Sequence, residues 1–391
     1  MSMLVEAVEP MSQIVQVFNR FDEDTIDRLN HKYSTIIFVI LAIVVTTNQY
    51  VGEKIECWSP AQFPEHWVEY TKSICWISNT YFIPISETNL LEANRKEIVY
   101  YQWVALVLFA QAFMFYAPGT LWISLNRPLG LDVHKIVKAA HDLEQLNPDM
   151  RDKTTKYVVK HIDRSLQNAK QIRTGPMANI KSRLASCGCF CGKRYGKFLI
   201  IIYLMTKLLY IGNAVIQLYM MNFFLGTNYS YYGIEILRDI RDTGGYKESR
   251  RFPRVTLCDF EERTLGRTIP RTVQCTLPIN LFNEKIFIFV WFWLAFISII
   301  DILSFFSWLW ILFATNRRSY IKKYLKVFDK YKKGEDRDRL RAFCDKYLRQ
   351  DGHFALRMIG KNTNEVIVGE MIVALWDHFG RNYNYHRKID V

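Results

Sequence analysis

The sequence lacks the motifs by which many soluble enzymes hold a nucleotide or a metal ion. It contains no G-x-G-x-x-G motif and no phosphate-binding loop, and its 8 histidines are scattered. Proline and glycine are sparse, at 11 and 18 of 391 residues, and no proline- or serine-rich linker or internal repeat divides the chain. The missing motifs and the scattered histidines argue against an enzyme, and we expect neither a cofactor nor a metal site.

Charged residues are nearly absent from four long stretches. These are residues 33–52, 98–126, 198–226 and 286–316. Each is long enough for the roughly 20 helical residues that cross a bilayer core. We therefore predict an all-α polytopic membrane protein with four transmembrane helices, at 33–51, 99–125, 198–225 and 286–314.

The first 32 residues lack the basic start and the small-residue cleavage site of a secretory signal, so we expect the first span to insert uncleaved. Lys and Arg outnumber Asp and Glu by 15 to 6 in residues 126–197 and by 18 to 10 in residues 315–391. Because basic loops stay in the cytoplasm, this bias places both termini and the 126–197 loop inside. The loops 52–98 and 226–285 then lie outside.

We interpret the net charge of +13 as a sign of this topology and of contact between basic residues and anionic membrane lipids. No motif for binding nucleic acid accompanies the charge, so we expect no nucleic-acid partner. The two basic cytoplasmic regions carry apolar residues at helical spacing, as in "VIVGEMIVALWDHF", and we predict a helical dome formed by them. The 226–285 loop is rich in Thr and Val, and we predict β-structure there.

Four cysteines lie in the two outside loops, two in each loop: Cys57, Cys75, Cys258 and Cys275. That compartment is oxidising, so we predict two disulfides. The spacing within each loop is too long for the closely spaced ligand pairs of a zinc site. Pairing between the loops and pairing within each loop both remain compatible with the sequence.

Three other cysteines alternate just before the third predicted span: Cys187, Cys189 and Cys191. Cysteines beside a membrane are typical sites of S-acylation, and we name these three as candidates. An unmodified loop of reduced thiols and a metal site are the alternatives.

The second predicted span opens with "YYQWV", that is Tyr100, Tyr101, Gln102, Trp103 and Val104. This pentapeptide resembles the signature of the innexins, the invertebrate gap-junction proteins related to pannexins. The segments "CWSPAQF", "FPRVTLCDF", "INLFNEKIFIFVWFW" and "LRQDGHFALRMI" resemble innexin sequence as well, in the same order along the chain. The resemblance covers nearly the whole sequence.

An innexin-like chain is expected to form a ring of subunits, eight by resemblance, around an aqueous pore in the plasma membrane. Two rings in apposed cells dock through their outside loops and pass ions and small molecules, and a ring can mix with other innexins. The resemblance implies disulfides between the loops, Cys57 with Cys275 and Cys75 with Cys258. An undocked, pannexin-like hemichannel is the alternative.

The residues before the first span show an amphipathic pattern from Met11 to Phe21, which predicts a short helix. In an innexin-like chain this segment folds into the pore mouth as a funnel; a helix lying on the membrane surface is the alternative. The acids that follow are Asp22, Glu23, Asp24 and Asp27. They are candidates for an acidic ring that concentrates cations; capping of the next helix is the alternative.

Polar residues at the outer end of the first span are too polar for lipid: Thr46, Thr47, Asn48 and Gln49. Pore lining and packing within the bundle are the two interpretations. Lys207 and Asp301 are the only charged residues within the spans, and we predict a structural salt bridge between them rather than a role in conduction. Asn228 begins an N-glycosylation pattern, but its position beside the membrane argues against attachment of a glycan.

Overall fold

The computed structural model describes residues 22–52, 54–83, 96–126, 132–142, 148–168, 196–243 and 251–389 except 333 and 335. The chain is mainly helical. Its helices are α1 (Thr25–Val51), α2 (Glu65–Ile77), α3 (Val104–Asn126), α4 (Val133–Asp142), α5 (Pro148–Asn168), α6 (Phe198–Leu225), α7 (Tyr232–Thr243), α8 (Pro278–Leu312), α9 (Ala314–Val327), α10 (Arg337–Ala342), α11 (Arg349–Asn362) and α12 (Glu365–Ile389). A π-helical turn, Phe343–Leu348, links α10 to α11.

Within the described part of the chain, four helices are long and apolar enough to cross a membrane: α1, α3, α6 and α8. The predicted four spans are therefore confirmed. Two of the helices begin well before their uncharged runs. Asp24 caps α1, and α8 begins at Pro278, a residue favoured at the first helical position because it needs no partner for an N–H group.

The strands form one five-stranded antiparallel sheet in the order β1-β5-β4-β2-β3. The strands are β1 (Glu56–Trp58), β2 (Thr80–Phe82), β3 (Lys96–Ile98), β4 (Val255–Thr264) and β5 (Arg267–Thr276). β4 and β5 pair along their whole length and turn at Leu265 and Gly266. Gly266 has a φ of +88°, which glycine adopts without a Cβ clash. The β-structure predicted for the 226–285 loop is present.

The chain divides into two compact units. The first, which we call the disulfide unit, comprises Tyr33–Tyr116 and Ile211–Ile299 and contains the sheet. The second, the helical unit, comprises Met1–Lys32, Ala117–Tyr210 and Ile300–Val391.

The helical unit has a continuous apolar core to which its shorter helices and the ends of three long helices contribute. α12 illustrates how the sequence pattern builds this core. The apolar residues Ile367, Val368, Met371, Ile372 and Leu375 recur at helical spacing and are between 0% and 2% exposed. The amphipathic helix predicted for this segment is confirmed.

Candidate functional site

Four acidic residues lie at the start of the first long helix, and all of them are buried in the helical unit. Asp22, Glu23, Asp24 and Asp27 are between 2% and 4% exposed. The Asp24 carboxylate accepts a hydrogen bond from the Thr25 N–H at 2.8 Å, and the Asp27 carboxylate accepts one from the Asp24 N–H at 3.2 Å. An acidic ring on a pore surface requires exposed carboxylates. Within this unit all four carboxylates are buried, and Asp24 and Asp27 form a capping box at the start of α1.

Lys207 is the cation beside these acids, and its counter-ion differs from the predicted one. Its Nζ lies 2.6 Å from an oxygen of Asp27 and 3.9 Å from one of Asp24. The predicted partner, Asp301, instead accepts a hydrogen bond from the Asn30 amide at 2.6 Å. Because α1 begins ahead of the uncharged run, Asp27 is a helical residue that the prediction did not consider. Lys207 and the four acids are called the charge cluster below.

Aromatic side chains satisfy two carboxylates of the charge cluster. The Tyr203 hydroxyl, from α6, donates to Asp27 at 2.6 Å. The Trp308 indole, from α8, donates to Asp24 at 3.1 Å. A buried carboxylate is costly unless it is paired and hydrogen-bonded. The two aromatic donors therefore offset part of the cost of burying these carboxylates.

The remaining two acids also have partners. The Trp122 indole, from α3, donates to Asp22 at 3.0 Å, and a ring nitrogen of His134 lies 3.4 Å from the same carboxylate. A ring nitrogen of His31 lies 3.6 Å from Glu23. Each acid of the charge cluster therefore lies beside polar or charged groups from other parts of the helical unit or of α1.

The end of α11 also contacts the segment that precedes α1. The Lys361 ammonium donates to Asp24 at 2.7 Å, and the Asn362 amide donates to the backbone carbonyl of Glu23 at 3.2 Å. Burial by itself raises the pKa of Asp24, but the cluster lysine and Lys361 outweigh burial and hold that pKa below its usual range. The charge cluster is an anchoring site for this segment.

The polar residues near the end of α1 behave differently from one another. The hydroxyls of Thr46 and Thr47 donate to the carbonyls four residues earlier, at 2.8 and 2.9 Å. Gln49 is 8% exposed, and its amide donates to the Tyr101 carbonyl at 2.9 Å. Asn48 is half-buried and Thr47 is exposed. Packing within the disulfide unit therefore accounts for Gln49, and Thr47 keeps an open face.

The signature segment joins α3 to the end of α2. Trp76 lies in the last turn of α2, where backbone carbonyls have no helical partner. Its carbonyl accepts hydrogen bonds from the Tyr101 hydroxyl at 3.3 Å and from the Gln102 amide at 2.5 Å. The Tyr100 hydroxyl donates to the Arg251 carbonyl at 3.2 Å. These contacts show that the first three signature residues hold the disulfide unit together.

The last two signature residues differ in solvent exposure. Val104 is fully buried, whereas Trp103 is 53% exposed. Trp103 lines an apolar groove of about 730 Å³ together with Tyr219 and Phe223 of α6. Trp103 therefore contributes to a surface of the disulfide unit rather than to its core.

Both disulfides join the two predicted outside loops. Cys57 in β1 bonds to Cys275, its direct cross-strand partner in β5. Cys75 in α2 bonds to Cys258 in β4. The sulfur atoms of Cys57, Cys75 and Cys275 lie within 4.8 Å of one another. Because these sulfurs are in disulfides, they are not the thiolates that bind zinc.

The structure describes the glycosylation candidate but not the three S-acylation candidates. Asn228 is exposed, at the end of α6, and its carbonyl accepts a hydrogen bond from Arg251 at 3.4 Å. Cys187, Cys189 and Cys191 lie outside the described residues, as does the predicted amphipathic helix from Met11 to Phe21.

The sequence prediction did not identify the partners of the charge cluster. Trp122 and Trp308 stand within or beside the apolar runs, where an indole N–H needs a buried acceptor. That need was a signal for a nearby acid. Lys361 gave no comparable signal, because it is one of many lysines in a basic region and lies 337 residues from Asp24.

Comparison with known proteins gives one consistent result. A family model described as Innexin matches residues 23–379. Innexin unc-9 of Caenorhabditis elegans is 37% identical over 365 residues, which cover 92% of this chain and 93% of that protein. Innexin eat-5 of the same organism is 30% identical, with 94% and 90% covered. Innexin-19 of Caenorhabditis briggsae is 33% identical, with 92% and 87% covered.

Proposed function

The chain belongs to the innexin family, and from that premise we propose that it is a subunit of a gap-junction channel that passes ions and small molecules between adjacent cells. The observation that carries the proposal is the family match over residues 23–379. The four membrane-crossing helices and the disulfide-linked sheet agree with it. Innexins are channel proteins, and the chain is a multi-pass membrane protein of this kind.

In this proposal the outside loops belong to the disulfide unit, and the cytoplasmic regions belong to the helical unit. The disulfide unit presents its sheet to the outside, because disulfides persist in an oxidising compartment. The short helices of the helical unit lie in the cytoplasm with both termini, because their connecting regions carry the excess of Lys and Arg. The buried reduced thiol of Cys344 in the helical unit agrees with a reducing compartment.

The subunits assemble into a ring, of eight by resemblance, formed by copies of this chain or shared with other innexins. The β4–β5 hairpin is the docking arm in this proposal. β1 pairs with β5 only at residues 274–276, and β2 pairs with β4 at Leu257. The hairpin therefore extends past its neighbours to a fully exposed Leu265 at the tip. Such an arm can reach a ring in the apposed membrane.

The charge cluster holds the start of α1 in place below the pore in this proposal. The 21 residues that precede Asp22 lie outside the described residues, and their proposed role as a pore funnel depends on where Asp22, Asp24 and Asp27 are fixed. The cluster acts on conduction through the position of this segment, because its carboxylates are buried and paired.

The deciding experiment measures junctional conductance between two voltage-clamped cells that both express the chain. We expect a current between the cells that disappears when one partner cell lacks the protein. A current across the membrane of single cells without any junctional current would contradict docking and favour an undocked hemichannel. Absence of both currents, with the protein at the cell surface, would contradict a channel of copies of this chain alone.

Two cysteine variants test the role of the disulfide unit in that assay. Cys75→Ser removes the bond to β4, and we expect it to abolish junctional current. Cys344→Ala is the matched control, because it removes a buried thiol that forms no disulfide. Normal coupling by Cys75→Ser would contradict the assignment of this unit to docking.

A further inference from the structure

The segment "LRQDGHFALRMI" resembles innexin sequence, but the proposed function gives it no role. It coincides with α11, Arg349–Asn362, and the turn before it. α11 is rigidly held in the helical unit, because Phe354, Leu356, Met358 and Ile359 are 0% or 1% exposed. The two ends of this helix contact two other parts of the unit.

The first end of α11 caps the third membrane-crossing helix. Asp351 lies in the first turn of α11, and its carboxylate accepts a hydrogen bond from the Ile200 N–H at 3.3 Å. The N–H groups of Phe198 and Leu199 donate to the same carboxylate. These are first-turn amides of α6, which have no partner within their own helix. The residue just before α6 is Lys197, which has no side-chain acceptor, so Asp351 supplies the cap from a distant part of the chain.

The chain ahead of α6 is also fixed by α11. The Asp351 N–H donates to the Gly196 carbonyl at 2.9 Å. Gly196 has a φ of +61°, and a Cβ added there would lie 2.6 Å from the side chain of Arg349. Only glycine combines this backbone conformation with such a close approach. The entrance to α6 is thus held on both sides of its first residue.

The other end of α11 holds the segment that leads into α1. Lys361 and Asn362 bind Asp24 and the Glu23 carbonyl, and the Arg28 guanidinium donates to the Asn362 side chain. Asp351 and Lys361 are ten residues apart, or about 15 Å along a helix. Residues that far apart with no shared partner normally act independently.

We propose that α11 is a strut that positions the segment before α1 relative to the entrance of α6, with Asp351 and Lys361 as its positioning residues. This inference rests on the proposed function, because the segment before α1 leads into the pore mouth. Movement of α11 displaces the capped start of α6 and the charge cluster together. The strut thereby links the cytoplasmic helices to the pore entrance without contacting the permeant ions.

A double-mutant cycle tests the strut through the voltage that halves junctional conductance. Asp351→Ala removes the cap, and Lys361→Met removes the contact with Asp24. We expect each to shift that voltage, and the double variant to shift it no further than the larger single shift, because both release the same helix. A double shift equal to the sum of the single shifts would overturn the strut.

Conservative variants separate positioning from a loss of stability. Asp351→Asn keeps an acceptor for the α6 amides, and Lys361→Arg keeps the positive charge, so both should conduct with the voltage dependence of the unaltered chain. Lys323→Met is the matched control for loss of one positive charge, because Lys323 pairs with Glu365 at the surface. A shift by Asp351→Asn equal to that of Asp351→Ala would overturn the cap as the cause.

Hydrogen exchange on the purified chain tests the same link without conductance. We expect Lys361→Met to speed exchange at residues 198–204 as well as at 22–31, and Asp351→Ala to speed exchange at 22–31 as well. Faster exchange confined to the mutated end in both variants would overturn the strut. If the unaltered chain gave no junctional current, the proposed function would be contradicted, but hydrogen exchange would still test the strut. Failure of the proposed function and failure of the strut are therefore distinguishable.

Discussion

The interactions that stabilise the disulfide unit differ from those that stabilise the helical unit. In the disulfide unit, two covalent bonds join β1 to β5 and α2 to β4, and the signature segment adds neutral hydrogen bonds to backbone carbonyls. The described part of the helical unit has no disulfide. Its apolar core surrounds the charge cluster, in which Lys207 and aromatic donors hold buried carboxylates.

This difference shows how each unit suits the side of the membrane proposed for it. Disulfides survive in an oxidising compartment and would be reduced in the cytoplasm. Buried ion pairs and neutral hydrogen bonds are independent of redox conditions. They are also easier to rearrange than a covalent bond, which suits a region that positions a pore-entry segment. Four changes, given from the largest expected effect to the smallest, test whether the contrast holds.

Removal of the Cys75–Cys258 bond should have the largest effect. Because the Cys57–Cys275 bond stays intact and encloses it, the Cys75–Cys258 bond closes a loop of about 35 residues, and the chain-entropy model gives a stabilisation of about 4 kcal/mol for such a loop. Thermal unfolding of purified Cys75→Ser with Cys258→Ser should therefore begin well below that of the unaltered chain. The same loss in Cys344→Ala, which has no disulfide to break, would remove the contrast between the units.

Lys207→Met should be nearly as damaging in the helical unit. It leaves Asp27 buried without its nearest cation, and breaking a buried ion pair costs about 3–5 kcal/mol. Adding Asp27→Asn should recover part of the loss, because the neutral amide still accepts from Tyr203. Thermal unfolding measures both variants. A double variant less stable than Lys207→Met would show that the ion pair is not the reason for the loss.

Asp351→Asn should have an intermediate effect that depends on pH. Burial raises the pKa of Asp351 to about 6, although the α6 amides and Arg349 oppose the shift. The folded chain therefore binds this proton more tightly than the unfolded chain, and the contribution is present at low pH and lost as pH rises through about 6. At pH 7.5 the variant, which needs no proton, should be more stable by at most about 3 kcal/mol.

That advantage should fall to about 0.5 kcal/mol near pH 4, where the folded chain holds the proton and about half of the unfolded chains are protonated as well. Unfolding curves of the two proteins at pH 4, 5, 6 and 7.5 measure the difference. An advantage that stays constant over this range would contradict the assignment of the titration to Asp351.

Surface ion pairs should matter little in either unit. Lys72 pairs with Glu56 in the disulfide unit at 2.8 Å, and Lys323 pairs with Glu365 in the helical unit at 3.5 Å. Exposed pairs contribute about 0.2–1 kcal/mol. Lys72→Met and Lys323→Met should each shift the unfolding temperature by no more than a few degrees. A large shift in only one unit would mean that surface charge contributes to the contrast.

Parts of this architecture were predictable because they depend on local patterns. Uncharged runs predicted four membrane-crossing helices, and two cysteines per outside loop predicted two disulfides. The identity of the counter-ion of Lys207 was not predictable in the same way. A position inside an uncharged run suggested Asp301 as the partner, whereas Asp27, which lies against Lys207 in the fold, stands nearly two helical turns before the first run.

The acids before α1 are a second case in which the sequence alone did not show the environment of charged residues. A group of four acids near a pore mouth suggested an exposed ring, since their sequence carries no sign of burial. Side chains from remote segments donate hydrogen bonds to these acids and offset the free-energy cost of burying them: Trp122, Tyr203, Trp308 and Lys361. Such donors are ordinary apolar or basic residues until the fold brings them to a carboxylate.

The class of the protein, its four spans and its family could be predicted without a structure, because hydrophobic length and an ordered set of motifs are properties of the chain alone. The pairing of the charges, the cap that Asp351 provides for α6, and the contacts of α11 with α6 and with the segment before α1 become visible only in the folded chain. These contacts join residues more than 100 positions apart, and their energies depend on burial and distance, which exist only after folding.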